Sequence, residues 1–314
     1  MNILRLDISD PAPLLSGAAH AATVGFFDGV HRGHQYLIEQ VKTEARLRQL
    51  QSMLITFDRH PRQVLSADYQ PQLLSTTDEK LRLLSQTGVD TCVVLHFDRL
   101  LASLSAQEFM QLVLRDRLNV RTLVTGYDNR FGHRRSEGFA DYVRYGRPLC
   151  IDVVAAQAFV LEGVHISSSV VRSFVSEGEV EMAARALGHP YAVEGTVVHG
   201  ERVGHQLGFP TANVGHVDPL KLLPAPGVYA VKVRLEGHGE LLPAMLNIGH
   251  RPTFGHHDQL TIEAHIFHLS GDLYGQHLQL YFFRRLRPEQ RFDSRQALVC
   301  QLHRDAEAVR QLLC

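Results

Sequence analysis

The sequence contains little cysteine and no long hydrophobic run. Its 314 residues include four cysteines, none in a Cys-x-x-Cys pair, which is typical of reduced thiols in the cytoplasm. The longest apolar runs, such as residues 21–27, are far shorter than the roughly 18 residues of a membrane span. The first residues lack the basic start and apolar middle of a signal peptide. We therefore expect a cytoplasmic protein without a membrane partner.

The sequence also lacks an excess of either charge. Lys+Arg total 32 and Asp+Glu total 33, a net charge of −1, whereas a general nucleic-acid binder usually carries a basic excess. Arginine nevertheless far outnumbers lysine, so nucleic-acid binding stays an alternative that an absence of salt-sensitive binding would exclude. The lysines are Lys42, Lys80, Lys221 and Lys232. No Gly-Lys dipeptide occurs, which excludes a Walker A phosphate loop.

Length and periodicity predict two domains, 1–187 and 188–314. In the first, apolar runs at 21–27, 51–57, 92–97 and 121–125 alternate with helical stretches, one beginning at His34 and two at capping boxes on Thr76 and Ser105. This rhythm predicts an α/β domain with a parallel sheet covered on both faces, whose ligands bind at the carboxyl ends of the strands.

The second domain contains short runs in which apolar and polar residues partly alternate. They lie at 193–199, 228–235, 241–248, 260–268 and 277–283. A helical period returns only after Ser294. We therefore predict a small antiparallel β-barrel closed by a terminal helix.

Residues 25–34, GFFDGVHRGH, bridge the first strand and the first helix. Glycine lets the backbone approach a ligand closely, and the N–H groups of a helix start favour an anion. His31 and His34 could donate hydrogen bonds to phosphate oxygens. The alternative is a pair of capping or zinc-binding histidines, with His60 as a third zinc ligand.

The segment ISSSVVR, which contains Ser168, Ser169 and Arg172, opens another helix and could form a second phosphate site. A serine-rich helix cap with a surface arginine is the commoner explanation of such a segment. In the second half, Thr211 and Asn213 end a glycine-rich stretch and offer two oxygen ligands to Mg²⁺, although a structural turn also explains them. Glu263 lies in an apolar strand. Its carboxylate either forms a structural pair or acts as a base for a substrate hydroxyl.

The first half resembles the bacterial FAD synthetase family, whose HxGH motif matches GFFDGVHRGH. The match continues through TFDRHP at 56–61, residues 126–132 and ISSSVVR. The resemblance implies that His31 and His34 bind ATP and catalyse conversion of FMN to FAD with release of pyrophosphate. It implies nucleotide contacts from Gly25, Phe27, Asp28, Gly29, Gly33, Ser168, Ser169 and Arg172. It implies flavin contacts from Phe57, His60, Pro61, Asp128 and Phe131. Arg59 and Asn129 depart from the family pattern on the flavin side.

The second half resembles riboflavin kinase in GFPTAN, NIGHRPTF, the EAH strand, DLYG and RPEQRF, which occur in the family's order. The resemblance implies that Thr211 and Asn213 hold Mg²⁺ and ATP, while Glu263 deprotonates the 5′-hydroxyl of riboflavin. It implies phosphate contacts from Gly195, Gly200, Gly208 and Pro210, and a flavin contact from Arg287. His205 stands where the family often has arginine.

The two resemblances together predict a bifunctional enzyme that makes FMN from riboflavin and then FAD from FMN, with ATP and Mg²⁺ in both steps. Its partners would be these small molecules, without nucleic acid, in a monomer or weak homo-oligomer. Two further alternatives are a chain in which one half has lost its chemistry and serves as a flavin-binding module, and a histidine-rich metal-binding protein. Product analysis tests the first of these, and metal analysis tests the second.

Overall fold

The computed structural model describes residues 1–10, 17–66, 68–126, 130–133, 137–200, 204, 207–251, 259–269 and 271–314. The chain forms two compact units, Met1–Ser167 and Ser168–Cys314. Within the described parts of the chain, none of the helices combines the length and the apolar composition that a bilayer crossing requires.

A six-stranded sheet organises the first unit, and all of its strand pairs are parallel. Its strands are β1 (Asn2–Leu6), β2 (His20–Val24), β3 (Gln51–Phe57), β4 (Thr91–Leu95), β5 (Val120–Thr125) and β6 (Asp152–Ala155), in the spatial order β1-β4-β3-β2-β5-β6. The direction of winding reverses between β2 and β5, so the carboxyl ends of these two strands border the crevice in which such sheets bind ligands. A small antiparallel pair, β7 (Val160–Leu161) and β8 (Val164–His165), lies outside this sheet.

Helices cover the sheet because alternate strand residues form two apolar faces. Met53 and Ile55 of β3 belong to one core cluster, whereas Leu54 belongs to another. The helices are α1 (Arg32–Leu47), α2 (Pro61–Leu65), α3 (Thr77–Ser85), α4 (Arg99–Ser103), α5 (Ala106–Glu108, continued by a π-helix at Phe109–Arg115) and α6 (Phe139–Leu149). The capping boxes predicted at Thr76 and Ser105 are both present.

The second unit contains a closed antiparallel barrel. Its strands are β9 (Tyr191–Val198), β10 (Ala212–Gly215), β11 (Gly227–Leu235), β12 (Leu242–Arg251), β13 (Gln259–Ile266) and β14 (His277–Pro288), closed in the order β10-β13-β12-β11-β14-β9. Burial alternates along β9, as expected for a barrel that points every second side chain inward. Three further helices are α7 (Ser168–Glu177), α8 (Val180–Leu187) and α9 (Arg295–Leu313).

The fold class is confirmed, and five strands were not predicted: β1, β6, β10 and the pair β7 and β8. β7 and β8 have two residues each, and β1 and β6 are short and not buried along their whole length. Strand β10 begins inside a Gly- and Pro-rich stretch that is typical of a turn. The compact units divide at Ser167/Ser168 rather than at the predicted 187, because α8 packs against strands β14 and β9 of the barrel.

Candidate active sites

The loop at residues 25–31, which connects β2 to α1, lies at the switch point of the parallel sheet. Its backbone is left-handed at Phe27 (φ 55°), Gly29 (φ 74°) and Val30 (φ 43°). Such dihedral angles are unfavourable for a β-branched residue, and strained backbone of this kind concentrates at functional sites. The strain therefore indicates a functional loop.

Asp28 holds this loop in place through its carboxylate, which is 2% exposed. The backbone N–H groups of Leu74 and Ser75 each donate to Oδ1 at 3.0 Å. The Ser75 hydroxyl oxygen in turn accepts the N–H of Gly29 at 2.9 Å. A carboxylate occupied by backbone donors shapes the loop and would repel a phosphate at close range. Asp28 therefore fixes the shape of the loop in which the nucleotide site is predicted.

Close packing explains the other predicted loop residues. A Cβ atom on Gly25 would lie 3.0 Å from the Phe27 ring, and one on Gly33 would lie 3.1 Å from the His31 ring. Phe27 is 1% exposed and packs in the same core cluster as Ile38. Packing within the fold therefore explains the two glycines and the phenylalanine.

His31 and His34 form a stacked pair, with ring centroids 3.6 Å apart and 18° between the ring planes. Nδ1 of His31 accepts the backbone N–H of His34 at 3.2 Å, so His31 is the N-cap of α1, as one alternative expected. The neutral His31 ring therefore carries its hydrogen on Nε2, the nitrogen that can donate to a ligand.

Burial lowers the pKa of His34 well below 6.5, and the nearby His31 and Lys80 lower it further. His34 is therefore neutral at pH 7. Its buried Nδ1 has no hydrogen-bond partner among the described residues. An imidazole in this state can donate a hydrogen bond and carries no charge. In the described part of the chain, no cluster of three or more His, Cys, Asp or Glu side chains could hold a metal ion.

Lys80 is a member of this region that the sequence reasoning missed. Its side chain is 2% exposed, and Nζ donates to the Phe57 carbonyl oxygen at 2.9 Å. Nζ also lies 4.2 Å from the centroid of the Phe26 ring, a cation–π contact. A sequence signal was available, because Lys80 precedes the buried Leu84 by four residues and shares its helix face.

The predicted flavin residues at the end of β3 have structural contacts. Phe57 packs edge-on against Phe97 at 5.2 Å between ring centroids. His60 is the N-cap of α2, its Nδ1 accepting the N–H of Arg62 at 3.1 Å, and its ring lies 4.9 Å from that of Phe26. Pro61 is the first residue of α2. Arg59 lies 3.9 Å from the Asp58 carboxylate and is half exposed.

A cavity of 260 Å³ opens at the carboxyl ends of β5 and β6. It is lined by Thr125, Gly126, Arg130, Gly138, Phe139, Tyr142, Ala155 and Ala156. Phe131 stacks on Tyr142 at 4.2 Å between ring centroids and packs against Phe109, so its ring belongs to the core beside this cavity. Asp128 and Asn129 lie outside the described residues.

Ser168, Ser169 and Arg172 lie in the first turns of α7, in the second unit. They therefore open a helix, as predicted.

In the barrel, strand register gathers the predicted kinase residues. Asn213 of β10 and Asn247 of β12 each lie directly opposite Glu263 of β13. Directly opposed residues of antiparallel strands share a face, with Cβ atoms roughly 4.5–5.5 Å apart. The Thr211 hydroxyl donates to Oε2 of Glu263 at 3.3 Å. Asn247 was not among the predicted site residues, although it belongs to the NIGHRPTF segment that resembles riboflavin kinase.

Glycines of the GTVVHG and GHQLGFPTAN segments pack against these side chains. A Cβ atom on Gly200 would lie 2.1 Å from the Asn213 amide nitrogen, and one on Gly204 would lie 3.1 Å from the Thr211 hydroxyl. Gly195, in β9, has the Gly215 carbonyl oxygen 2.7 Å from its Cβ position. The glycines thus allow close approach of strands and site side chains.

The turn that precedes β10 is held at two points. Gly208 has a φ of 80°, which favours glycine. The Pro210 carbonyl oxygen accepts a hydrogen bond from His265 Nδ1 at 2.8 Å, so the neutral His265 ring carries its hydrogen on Nδ1. His205 lies outside the described residues.

Arg287, predicted to contact flavin, binds Asp305 of α9. Its Nη2 and Nε donate to the carboxylate at 2.8 and 3.0 Å, and the two side chains are 15% and 5% exposed. Gln301 adds a hydrogen bond to the same carboxylate at 2.8 Å. This network joins β14 to the terminal helix and gives the Arg287 guanidinium a structural partner.

The residues predicted to hold Mg²⁺ suit that ion. Thr211, Asn213 and Glu263 place a hydroxyl, an amide and a carboxylate in one cluster, and hard cations prefer such oxygen donors. Mg²⁺ also binds through few protein ligands together with substrate phosphates.

Family models match both units of this architecture. The FAD synthetase model matches residues 16–170, and the riboflavin kinase model matches residues 187–313. The chain is therefore of the class that combines a nucleotidyltransferase domain with a kinase domain in one polypeptide.

The relatives extend the match over nearly the whole chain. Bifunctional riboflavin kinase/FMN adenylyltransferases from Escherichia coli K12 and Listeria monocytogenes are 41% and 36% identical, covering 92% and 91% of this chain and 91% and 90% of theirs. A crystal structure described as a macrolide-efflux protein from Streptococcus pneumoniae is 31% identical, with a TM-score of 0.87 and 99% of both chains covered. The chain belongs to the bifunctional riboflavin kinase/FMN adenylyltransferase family.

Proposed function

We propose that the barrel unit phosphorylates riboflavin to FMN and that the α/β unit adenylylates FMN to FAD, each with ATP. The observation that carries this proposal is that each half of the chain matches its own family model and contains a polar cluster that suits phosphate: the His31–His34 pair in one half and the Thr211–Asn213–Glu263 cluster in the other. The functional domain limits are proposed as 1–187 and 188–314.

In the kinase step, Glu263 accepts the proton of the ribityl 5′-hydroxyl while that oxygen attacks the γ-phosphorus of ATP, and ADP leaves. Thr211 orients the carboxylate through the hydrogen bond to Oε2. Thr211 and Asn213 would hold Mg²⁺, which neutralises phosphate charge when it is bound. Gly200 packs against the Asn213 amide, and Gly195, Gly208 and Pro210 are assigned to phosphate on the family resemblance.

In the adenylylation step, a phosphate oxygen of FMN attacks the α-phosphorus of ATP, and pyrophosphate leaves. His31 donates from Nε2, because its Nδ1 is occupied by the N–H of His34. Neutral His34 adds a second donor. Fixed donors aimed at phosphate oxygens stabilise the charge that develops in the transition state. Ser168, Ser169 and Arg172 are assigned to ATP, and His60 and Pro61 to flavin, on the family resemblance.

The cellular setting is part of the proposal. All four cysteines are free, and Cys150, Cys300 and Cys314 are exposed, which suits a reducing cytoplasm. Balanced charge favours small-molecule substrates over nucleic acid, and we propose a monomer or weak homo-oligomer without a membrane partner.

A time course with riboflavin, ATP and Mg²⁺ tests the proposal, with chromatography separating riboflavin, FMN and FAD. We expect FMN first and FAD after it. FMN that never proceeds to FAD, even when FMN is supplied directly, would show that the α/β unit has lost its chemistry. Absence of both products would contradict both assignments.

A further inference from the structure

Lys80 is a buried cation that the two proposed reactions leave without a role. It projects from α3 to the carboxyl edge of the sheet, where it contacts residues that follow two neighbouring strands. Phe26 follows β2, and its ring lies under Nζ, while the Phe57 carbonyl at the end of β3 accepts a hydrogen bond from Nζ. A single side chain thus joins the start of the His31–His34 loop to the adjacent strand end.

We propose that Lys80 is a positioning residue of the adenylylation site, whose buried ammonium fixes the loop between β2 and α1 and contributes to the electrostatic environment of His34. This inference rests on the proposed FMN adenylyltransferase function. No predicted site residue supplies a buried positive charge at this end of the sheet.

Titratable groups on several elements act on Lys80. Burial lowers the pKa of Lys80 to about 8, although Asp28 on the loop and Asp58 after β3 favour its charged form. Cys92 in β4 also lies nearby, but burial raises its pKa to about 11, so it is a neutral thiol at pH 7. Burial and His31 lower the pKa of His34 in α1, and the Lys80 charge lowers it further. The arrangement keeps one cation charged at pH 7 and keeps the neighbouring histidine neutral.

This arrangement matches the needs of the reaction. Negative charge builds on the phosphate oxygens as the FMN oxygen attacks, and a preorganised positive potential stabilises it. Neutral His34 can still donate one hydrogen bond. Loss of the ammonium would therefore loosen the loop and remove this positive potential, both at the expense of adenylylation.

The experiment compares the full-length wild type with Lys80→Met, which removes the charge and keeps a side chain of similar length. Lys42→Met is the matched control, since Lys42 also donates to a backbone carbonyl, that of Thr87 at 2.8 Å, but lies among Glu39 and solvent. FAD formation from FMN, FMN formation from riboflavin and the titration of His34 by NMR are measured on each protein.

We expect Lys80→Met to reduce FAD formation at pH 7 at least about tenfold, as displaced catalytic groups do, with FMN formation unchanged. The pKa of His34 should rise toward 6.5 in this variant. Lys42→Met should match the wild type. The wild-type rate of FAD formation should also decrease as the pH rises through about 8, a limb that Lys80→Met lacks.

Wild-type FAD formation and an unchanged pH profile in Lys80→Met would overturn the proposal. Parallel loss of both activities with an unaltered His34 titration would reduce Lys80 to a structural residue. If Lys80→Met does not fold, the wild-type pH profile decides, and a rate that is flat between pH 7 and 9.5 contradicts the proposal. A wild type that forms FMN and never FAD would instead remove the adenylyltransferase function on which this inference rests.

Discussion

Lys80 connects a stability effect to the chemistry of its site. Its pKa is 10.5 in an exposed lysine and about 8 in the folded protein, mainly because of burial. Between these values the unfolded chain binds more protons, so the free energy of unfolding increases as the pH rises from about 8 to about 10.5. Below pH 8 the buried charge disfavours the folded state by ~3 kcal/mol.

Lys80→Met should therefore raise the free energy of unfolding at pH 7 by up to ~3 kcal/mol, with a smaller gain at pH 10. Urea denaturation at the two pH values measures this, and Lys42→Met, at a more exposed position, should show no comparable gain. A variant that is less stable than wild type at pH 7 would contradict the expected cost of the buried ammonium.

Glu263 is the residue on which phosphorylation should depend most. Glu263→Gln keeps the shape of the side chain and removes the base, so we expect FMN formation to fall by roughly 10²–10⁴-fold. Glu236→Gln, at an exposed carboxylate of the same unit, is the control and should have no effect. Wild-type FMN formation in Glu263→Gln would exclude Glu263 as the base.

Contacts between elements decide whether the kinase cluster forms at all. A Cβ atom on Gly200 would lie 2.1–2.6 Å from the Asn213 amide, which must then move away from Glu263. Gly200→Ala should weaken the apparent affinity for Mg²⁺ in FMN formation by roughly 10–100-fold. Gly239→Ala, where a Cβ would meet nothing within 4 Å, is the matched control. Equal Mg²⁺ titrations in both variants would show that Asn213 is not a ligand.

The terminal helix is joined to the barrel by the Arg287–Asp305 pair. Removal of one partner leaves a buried charge uncompensated, so Asp305→Ala should reduce the free energy of unfolding by roughly 3–5 kcal/mol. Glu307→Ala on the same helix breaks an exposed pair, 3.6 Å from Arg310, and an exposed hydrogen bond from Gln311, and should cost less than about 1 kcal/mol. Urea denaturation measures both variants. Similar losses of stability would show that burial of the pair is unimportant.

The whole chain carries two activities, and these should separate cleanly. With riboflavin and ATP, His31→Ala should accumulate FMN, because its kinase cluster is intact. Glu263→Gln should convert supplied FMN to FAD but not riboflavin. A mixture of the two variants should restore FAD formation from riboflavin, since FMN released by one can bind the other. If the mixture forms FMN without FAD, FMN does not pass between chains.

Much of the architecture follows from local pattern. The alternation of apolar runs with capped helices predicted the parallel sheet, because a strand buried on both faces and a capped amphipathic helix each leave a periodic record. The short strands left no such record. Gly208 and Pro210 lie just before β10, so the segment resembles a turn in sequence, and only its pairing with β9 and β13 identifies it as a strand.

The sequence by itself determined the two domain types and predicted His31, His34, Thr211, Asn213 and Glu263 as site residues, because residue types at fixed spacing are local properties. Only the tertiary structure decided which of the other polar residues belong near them. Helix packing places Lys80 against Phe26 and Phe57, strand register places Asn247 opposite Glu263, and Arg287 forms an ion pair with Asp305. Contacts between residues distant in the chain depend on how elements pack, and no local pattern records that packing.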